Sequence, residues 1–153
     1  LITTQQPIAQ DLRTVSSILK VVTDIERIGD HASDIAELIQ QMDHKQLERY
    51  SGHLQPMIAA SREMVHEAVS AFVARDQKKA NDVIASDDII DKLFDKVNND
   101  IVIHIKEDRS DAIESLDALM LAKYLERIGD HAVNICEWEI FRETGTIQNT
   151  KVF

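Results

Sequence analysis

The heptapeptide Glu-Arg-Ile-Gly-Asp-His-Ala occurs twice, at Glu26–Ala32 and at Glu126–Ala132, and the match continues with Ile35 against Ile135 and Glu37 against Glu137. A duplicated string held in register over 100 residues constrains the fold more than any single motif, since two copies of one sequence take one local structure and present the same face. That structure is a helix. Apolar residues step by three and four through both copies: Val15, Ile18, Val22, Ile25, Ile28, Ala32, Ile35 and Ile39 in the first, Leu121, Leu125, Ile128, Ala132 and Ile135 in the second. Four glycines and two prolines are too few to divide 153 residues into strands and turns, so the chain reads as nearly all helix.

Helix signals then divide it. A first helix runs from Pro7, where a missing N–H costs nothing in a first turn, to about Met42, before the polar stretch Asp43–Gly52. A second fits Pro56 to about Arg75, with Ile58, Val65, Val69 and Phe72 on one side. Asp76 caps a third, Gln77 to about Lys106, whose stripe is Val83, Ile90, Phe94, Val97, Ile101 and Ile105. The fourth opens on the capping pair Asp111 and Glu114, runs to Glu143 and stops at Gly145. Because the second motif copy follows two antiparallel helices and the first copy has none before it, the repeat unit is a three-helix hairpin of which the N-terminal copy retains only its third helix. The organisation is therefore residues 1–45 as that third helix, 51–145 as a complete unit and 146–153 as a polar tail. A first residue of Leu1 rather than Met agrees with a processed or truncated piece. The apolar face of the first helix is then covered by the second unit or by another molecule, which favours a homo-oligomer.

Charge narrows the function. With 17 basic and 27 acidic residues the net charge is −10, which argues against a nucleic acid partner. Apolar runs fall well short of the ~20 residues needed to span a bilayer. One cysteine, Cys136, forms no internal disulfide and reads as a small buried hydrophobe in a reducing cytoplasm. Trp138 and Tyr124 read as packing residues, and Arg27 and Arg127 as partners of carboxylates one turn away.

Steps of four, four and three lead from Glu126 to Asp130, Asn134 and Glu137, and from Glu26 to Asp30, Asp34 and Glu37, along one helical face. Like charges at i, i+4 repel, so this ladder does not serve helix stability and a cation would relieve it. Gly29 and Gly129 sit within it, at about 1 kcal/mol each relative to alanine, and call for close approach by a neighbour or room for a ligand. If the third and fourth helices turn near residue 108, Asp91 lies opposite Glu126 and Asp87 opposite Asp130. A turn near residue 77 sets Glu67 beside Asp87 and Glu63 beside Asp91. Oxygen-only donors of this density suit Mg, Mn, Ca or iron rather than a closed Zn site. His31 and His131 fall about 100° further round the helix from the motif aspartates. A ferritin-like di-metal carboxylate oxidase would show Glu-x-x-His, whereas Ile28 and Ile128 stand three residues before these histidines. No phosphate loop, nucleophile elbow or catalytic Cys/His spacing is present. A purely structural helical module is the remaining alternative.

The stretches Gln6-Pro7-Ile8-Ala9-Gln10-Asp11-Leu12-Arg13, Asp24 through Ala32 and Tyr124 through Ile135 resemble the PhoU family, the phosphate-specific transport system accessory proteins, and the likeness covers nearly the whole chain. The resemblance implies a bundle built as a tandem of three-helix repeats, each with a Glu/Asp-x-x-x-Asp motif that binds divalent or trivalent metal: iron, Mn, Mg, Zn or Ca. The motif falls here on Glu26 with Asp30, Glu126 with Asp130 and Asp87 with Asp91. Glu67 joins them, with Ser70 where a second acid is common. With two helices of the first repeat missing, only the Glu26, Asp30 side of the first site remains. The resemblance further implies a non-enzymatic cytoplasmic adaptor. Its partners would be the ATPase subunit of a phosphate ABC transporter and a phosphate sensor histidine kinase, it would meet the membrane only through them, and it would keep the starvation response off.

Overall fold

Helix propensity and capping divide the chain into α1 Ile2–Gln41, α2 His44–Ala74, α3 Gln77–Glu107 and α4 Ala112–Thr144, with a 3-10 turn at Arg109–Asp111 before α4. The computed structural model describes residues 2–147, with side chains from Pro7 onward. The Asp43 carboxylate accepts from the Lys45 N–H (3.3 Å) to open α2, and that of Asp76 accepts from the Lys79 N–H (3.0 Å) to open α3. Gly145 closes α4 at φ 77°, its N–H donating to the Phe141 carbonyl at 2.7 Å. Arg75 does the same for α2 at φ 54°, a left-handed conformation that costs a non-glycine residue about 1–2 kcal/mol.

Three local expectations change. α1 extends back past Pro7 to Ile2, and α2 starts at His44 rather than Pro56, so the polar stretch Asp43–Gly52 is helix rather than loop. The reason is tertiary: Gln46, Tyr50 and Leu54 recur every fourth residue on a buried face, and the Tyr50 hydroxyl bonds Ser115 Oγ at 3.0 Å. The buried stripe of α2 is accordingly Met57, Ser61, Met64, Ala68 and Ala71, while Ile58, Val65 and Val69 turn toward an open groove. The Asp111–Glu114 capping pair does not form. Asp111 makes no side-chain cap bond, and Glu114 accepts from Gln46 Nε2 at 3.3 Å.

α4 lies at the centre, packed against α1 on one side and against the antiparallel α2–α3 hairpin on the other. Its hairpin face is small: Ser115, Ala118 and Ala122 are fully buried and Leu125 is 3% exposed. The positions 100 residues earlier on α1 are Val15, Ile18, Val22 and Ile25, and they are 55, 43, 47 and 44% exposed. What α1 buries against α4 instead is the line Ser17, Val21 and Asp24. The stripe of α1 is thus largely open from Val15 to Ile25, whereas Ile28 and Ile35 further along it pack against the core.

Candidate functional site

The acids singled out from the sequence lie near one level of the bundle. A Cβ on Gly129 would meet Ile90 Cδ1 at 2.9 Å and Met64 Sδ at 3.7 Å, so α2, α3 and α4 meet there with almost no gap. Ile90 stands between Asp87 and Asp91, Met64 between Glu63 and Glu67, and Gly129 between Glu126 and Asp130. Gly129 thus serves close approach, as its cost in a helix requires. Gly29, its copy, faces open space.

Within this level the environments differ. Asp87 is 4% exposed on the seam of α3, whereas Asp91 and Asp130 are half-buried, and all three interact with neighbouring groups. Glu126 accepts from Lys123 Nζ at 2.8 Å, and Glu67 pairs with Lys79 at 3.3 Å. Glu26 and Asp30 are exposed. Among the described residues no three His, Cys, Asp or Glu side chains converge closely enough to hold a metal ion together. Helix packing brings the carboxylate-bearing stretches to one level, and lysines occupy two of the carboxylates there.

The two motif copies do meet each other, through their histidines. His131 Nδ1 donates to the Asp24 carboxylate at 2.8 Å, and the His31 ring lies 5.7 Å from that of Tyr124. Residues 24 and 124 occupy the same position of the repeat, seven before the histidines. Each copy therefore reaches across α1–α4 to the equivalent residue of the other, and the two imidazoles stand 5.6 Å apart between them. The chemistry is unequal. Asp24 and His131 are 6 and 2% exposed, and Asn134 Nδ2 adds a bond to the same carboxylate oxygen at 3.4 Å. His31 has a phenol where His131 has a carboxylate. Its pKa is pushed down, first by burial and then by His131 and Arg127, with Asp34 opposing. Sequence reasoning set these histidines aside because it judged each against its own helix. The shared spacing of seven to Asp24 and Tyr124 was the available signal.

A second buried polar group was also missed. Glu139 is fully buried, its carboxyl pushed up by burial and drawn down by its ion pair with Arg142. Arg142 also donates to the Phe72 carbonyl near the end of α2 and stacks on the Phe72 ring at 4.0 Å. Cys136 is fully buried with its thiol pushed up to about 12, in keeping with a small hydrophobe. Between α1 and α2, with Leu125 and Ile128 as its floor, runs an apolar groove of about 650 Å³. No helix among the described residues is long and apolar enough to cross a membrane.

The family model described as the PhoU domain matches residues 1–39 and 54–138. A phosphate-specific transport system accessory protein PhoU homolog of Clostridium acetobutylicum is 38% identical over 95% of this chain and 67% of its own length. PhoU homolog 1 of Thermotoga maritima is 36% identical over 96% of this chain and 63% of its own. The chain thus spans about two thirds of the length of these relatives. Among solved structures, PhoU from Pseudomonas aeruginosa superposes with a TM-score of 0.82 at 34% identity, covering 92% of this chain and 68% of that one. The phosphate transport system regulatory protein PhoU from Streptococcus pneumoniae gives 0.83 at 29% identity, covering 97% and 72%.

Proposed function

The chain belongs to the PhoU family, and from that premise we propose that it acts as a regulator of phosphate uptake and phosphate-starvation signalling: a cytoplasmic adaptor that binds the ATPase subunit of a phosphate ABC transporter and a sensor histidine kinase, and turns over no substrate. The observation that carries this reading is the match of the domain model to residues 1–39 and 54–138, which takes in both motif copies. Relatives named as accessory proteins of the phosphate-specific transport system supply the partner class. An acidic bundle of long helices offers faces for docking and little attraction to anionic lipid, so contact with a membrane runs through the transporter.

Metal belongs to the same proposal through Asp87 and Asp91 on α3 and Glu126 and Asp130 on α4. An oxygen-only donor set of this kind takes a hard cation such as Mg, Mn, Ca or iron, and Zn less readily. Glu126 must first be released from Lys123, and the Glu67 contribution requires the same of Lys79. The oxidase alternative fares worse, since His131 Nδ1 is taken by Asp24 in the α1–α4 interface.

The test has two arms. In a strain lacking its own homologue, expression of the chain restores repression of a phosphate-starvation reporter, and the purified chain captures the transporter ATPase subunit. Failure of both refutes the adaptor reading. Elemental analysis of protein purified without chelator gives bound metal that falls in the Asp87→Asn, Asp91→Asn double variant, and equal stoichiometry in variant and parent refutes the metal assignment.

A further inference from the structure

At the far end of the bundle from Arg142, three side chains from three elements share one contact that they cannot all make at once. Arg49 of α2 places Nη1 2.8 Å from Nε2 of His104 on α3. The same Nε2 lies 3.2 Å from Oδ2 of Asp111 in the 3-10 turn, and Arg49 Nη1 reaches that oxygen at 3.5 Å. Guanidinium only donates and carboxylate only accepts. With Nε2 bare, His104 accepts from Arg49 and faces Asp111 with lone pair against lone pair. With a proton on Nε2, it donates to Asp111 and repels Arg49. One nitrogen has two mutually exclusive partners.

We propose that Arg49, His104 and Asp111 form a proton-operated clasp between the start of α2 and the α3–α4 turn, in which neutral His104 holds Arg49 and protonated His104 exchanges it for Asp111.

The surroundings allow the exchange. Arg49 is 35% exposed at its side chain and His104 only 13%, so the guanidinium has water to move into and the imidazole does not. Both line a pocket of about 300 Å³ with Tyr50, Asp100, Ile103 and Glu107. The Tyr50 ring meets the His104 ring edge-on at 6.3 Å and holds it in place. The other charged groups have their own roles. His53 of α2 is bonded to Asp100 of α3, and Glu114 of α4 accepts from Gln46. Asp108 holds Ser110, whose bonds are the first cause of its lowered pKa, and it also feels the charges of His104 and Arg49, while Glu107 lines the same pocket as Arg49. Because Asp43 caps α2 only six residues before Arg49, loss of the Arg49 contact loosens the first turns of that helix.

The experiment reads the ring nitrogens of His104 by ¹⁵N NMR on the full chain, together with amide hydrogen exchange. In the neutral form the proton sits on Nδ1 with Nε2 bare, although Asp111 alone would favour the opposite tautomer. Arg49→Leu moves the proton to Nε2, and Arg49→Lys, which retains a donor, does not. As pH falls from about 8 to about 5, exchange at His44–Tyr50, corrected for intrinsic rates, quickens about tenfold, as expected for loss of one charge-assisted hydrogen bond. Amides in the centre of α4 do not follow. An Nε2–H tautomer in the neutral parent overturns the proposal without requiring any variant to fold. So does exchange at the start of α2 that is indifferent to pH.

Discussion

Alanine at Gly29 and at Gly129 is one substitution in two copies of one heptapeptide, and the structure predicts opposite outcomes. In a helix interior alanine gains about 1 kcal/mol over glycine through backbone entropy and propensity. At Gly29 the new methyl meets nothing within 4 Å, so that gain stands nearly whole, and the variant is more stable by about 0.5–1 kcal/mol. At Gly129 the same methyl arrives 2.9 Å from Ile90 Cδ1, well inside the ~3.5–4.0 Å optimum for a carbon pair. Ile90 is fully buried and has little room to retreat, so the helix gain is set against an overpacking cost of about 1–3 kcal/mol. The net result is a loss of up to about 2 kcal/mol, and the two variants differ by about 1–3 kcal/mol. Urea unfolding followed by helical circular dichroism measures both, read as midpoint shifts at constant slope. Equal shifts of the same sign would show that the tight crossing of α2, α3 and α4 at Gly129 is misplaced, and the shared level of the acids with it.

Three further outcomes are expected. Leu125→Ala costs about 2–5 kcal/mol because the leucine is 3% exposed, while Ile25→Ala at the matching position of α1, 44% exposed, costs under about 1 kcal/mol in the same unfolding assay; comparable losses would mean that the α1 stripe is covered. Arg142→Met leaves the Glu139 carboxyl buried without its counter-charge and costs about 3–5 kcal/mol, whereas Arg142→Met with Glu139→Leu returns most of it, and a double variant no better than the single one refutes the pairing. The folded-state pKa of His31 is held below 6.5, so the unfolded chain binds the extra proton first. Its contribution to stability is full above that value and is lost as pH falls below it toward the folded pKa. His31→Leu therefore flattens the stability profile in that window, and an unchanged slope contradicts the depression.

Much of the fold was legible because helix formation is a local matter. The scarcity of glycine and proline, the caps at Asp76 and Gly145 and the 3.6-residue periodicity are properties of neighbouring residues, and they place α3 and α4 within a residue or two. Family membership was legible for the same reason, in the repeated motif and the sequence around it. Hairpin arithmetic sets Asp87 and Asp91 beside Glu126 and Asp130, and the approach of Ile90 to Gly129 falls within two residues of that register, because antiparallel helices joined by short turns have few registers open to them. It did not find what those side chains bond to. Lys123 on Glu126 and Lys79 on Glu67 depend on rotamers that spacing does not determine.

In α1 and α2 the buried face was decided only by tertiary packing, whereas Val83, Ile90, Val97 and Ile101 of α3 and Leu121, Leu125, Ile128, Ala132 and Ile135 of α4 are buried as their spacing requires. An apolar stripe shows that a face can be buried, not that a neighbour is there to bury it. Hence Val22 and Ile25 lie open while Ser17 and Asp24 are buried against α4, and Asp43–Gly52, polar enough for a loop, is helical because Tyr50 has Ser115 to meet. The reciprocal contacts of His31 and His131, the hold of Arg142 on the Phe72 carbonyl and the Arg49–His104 contact join residues far apart in the chain. Local propensity acts over a few residues. These contacts are set by how whole helices stack.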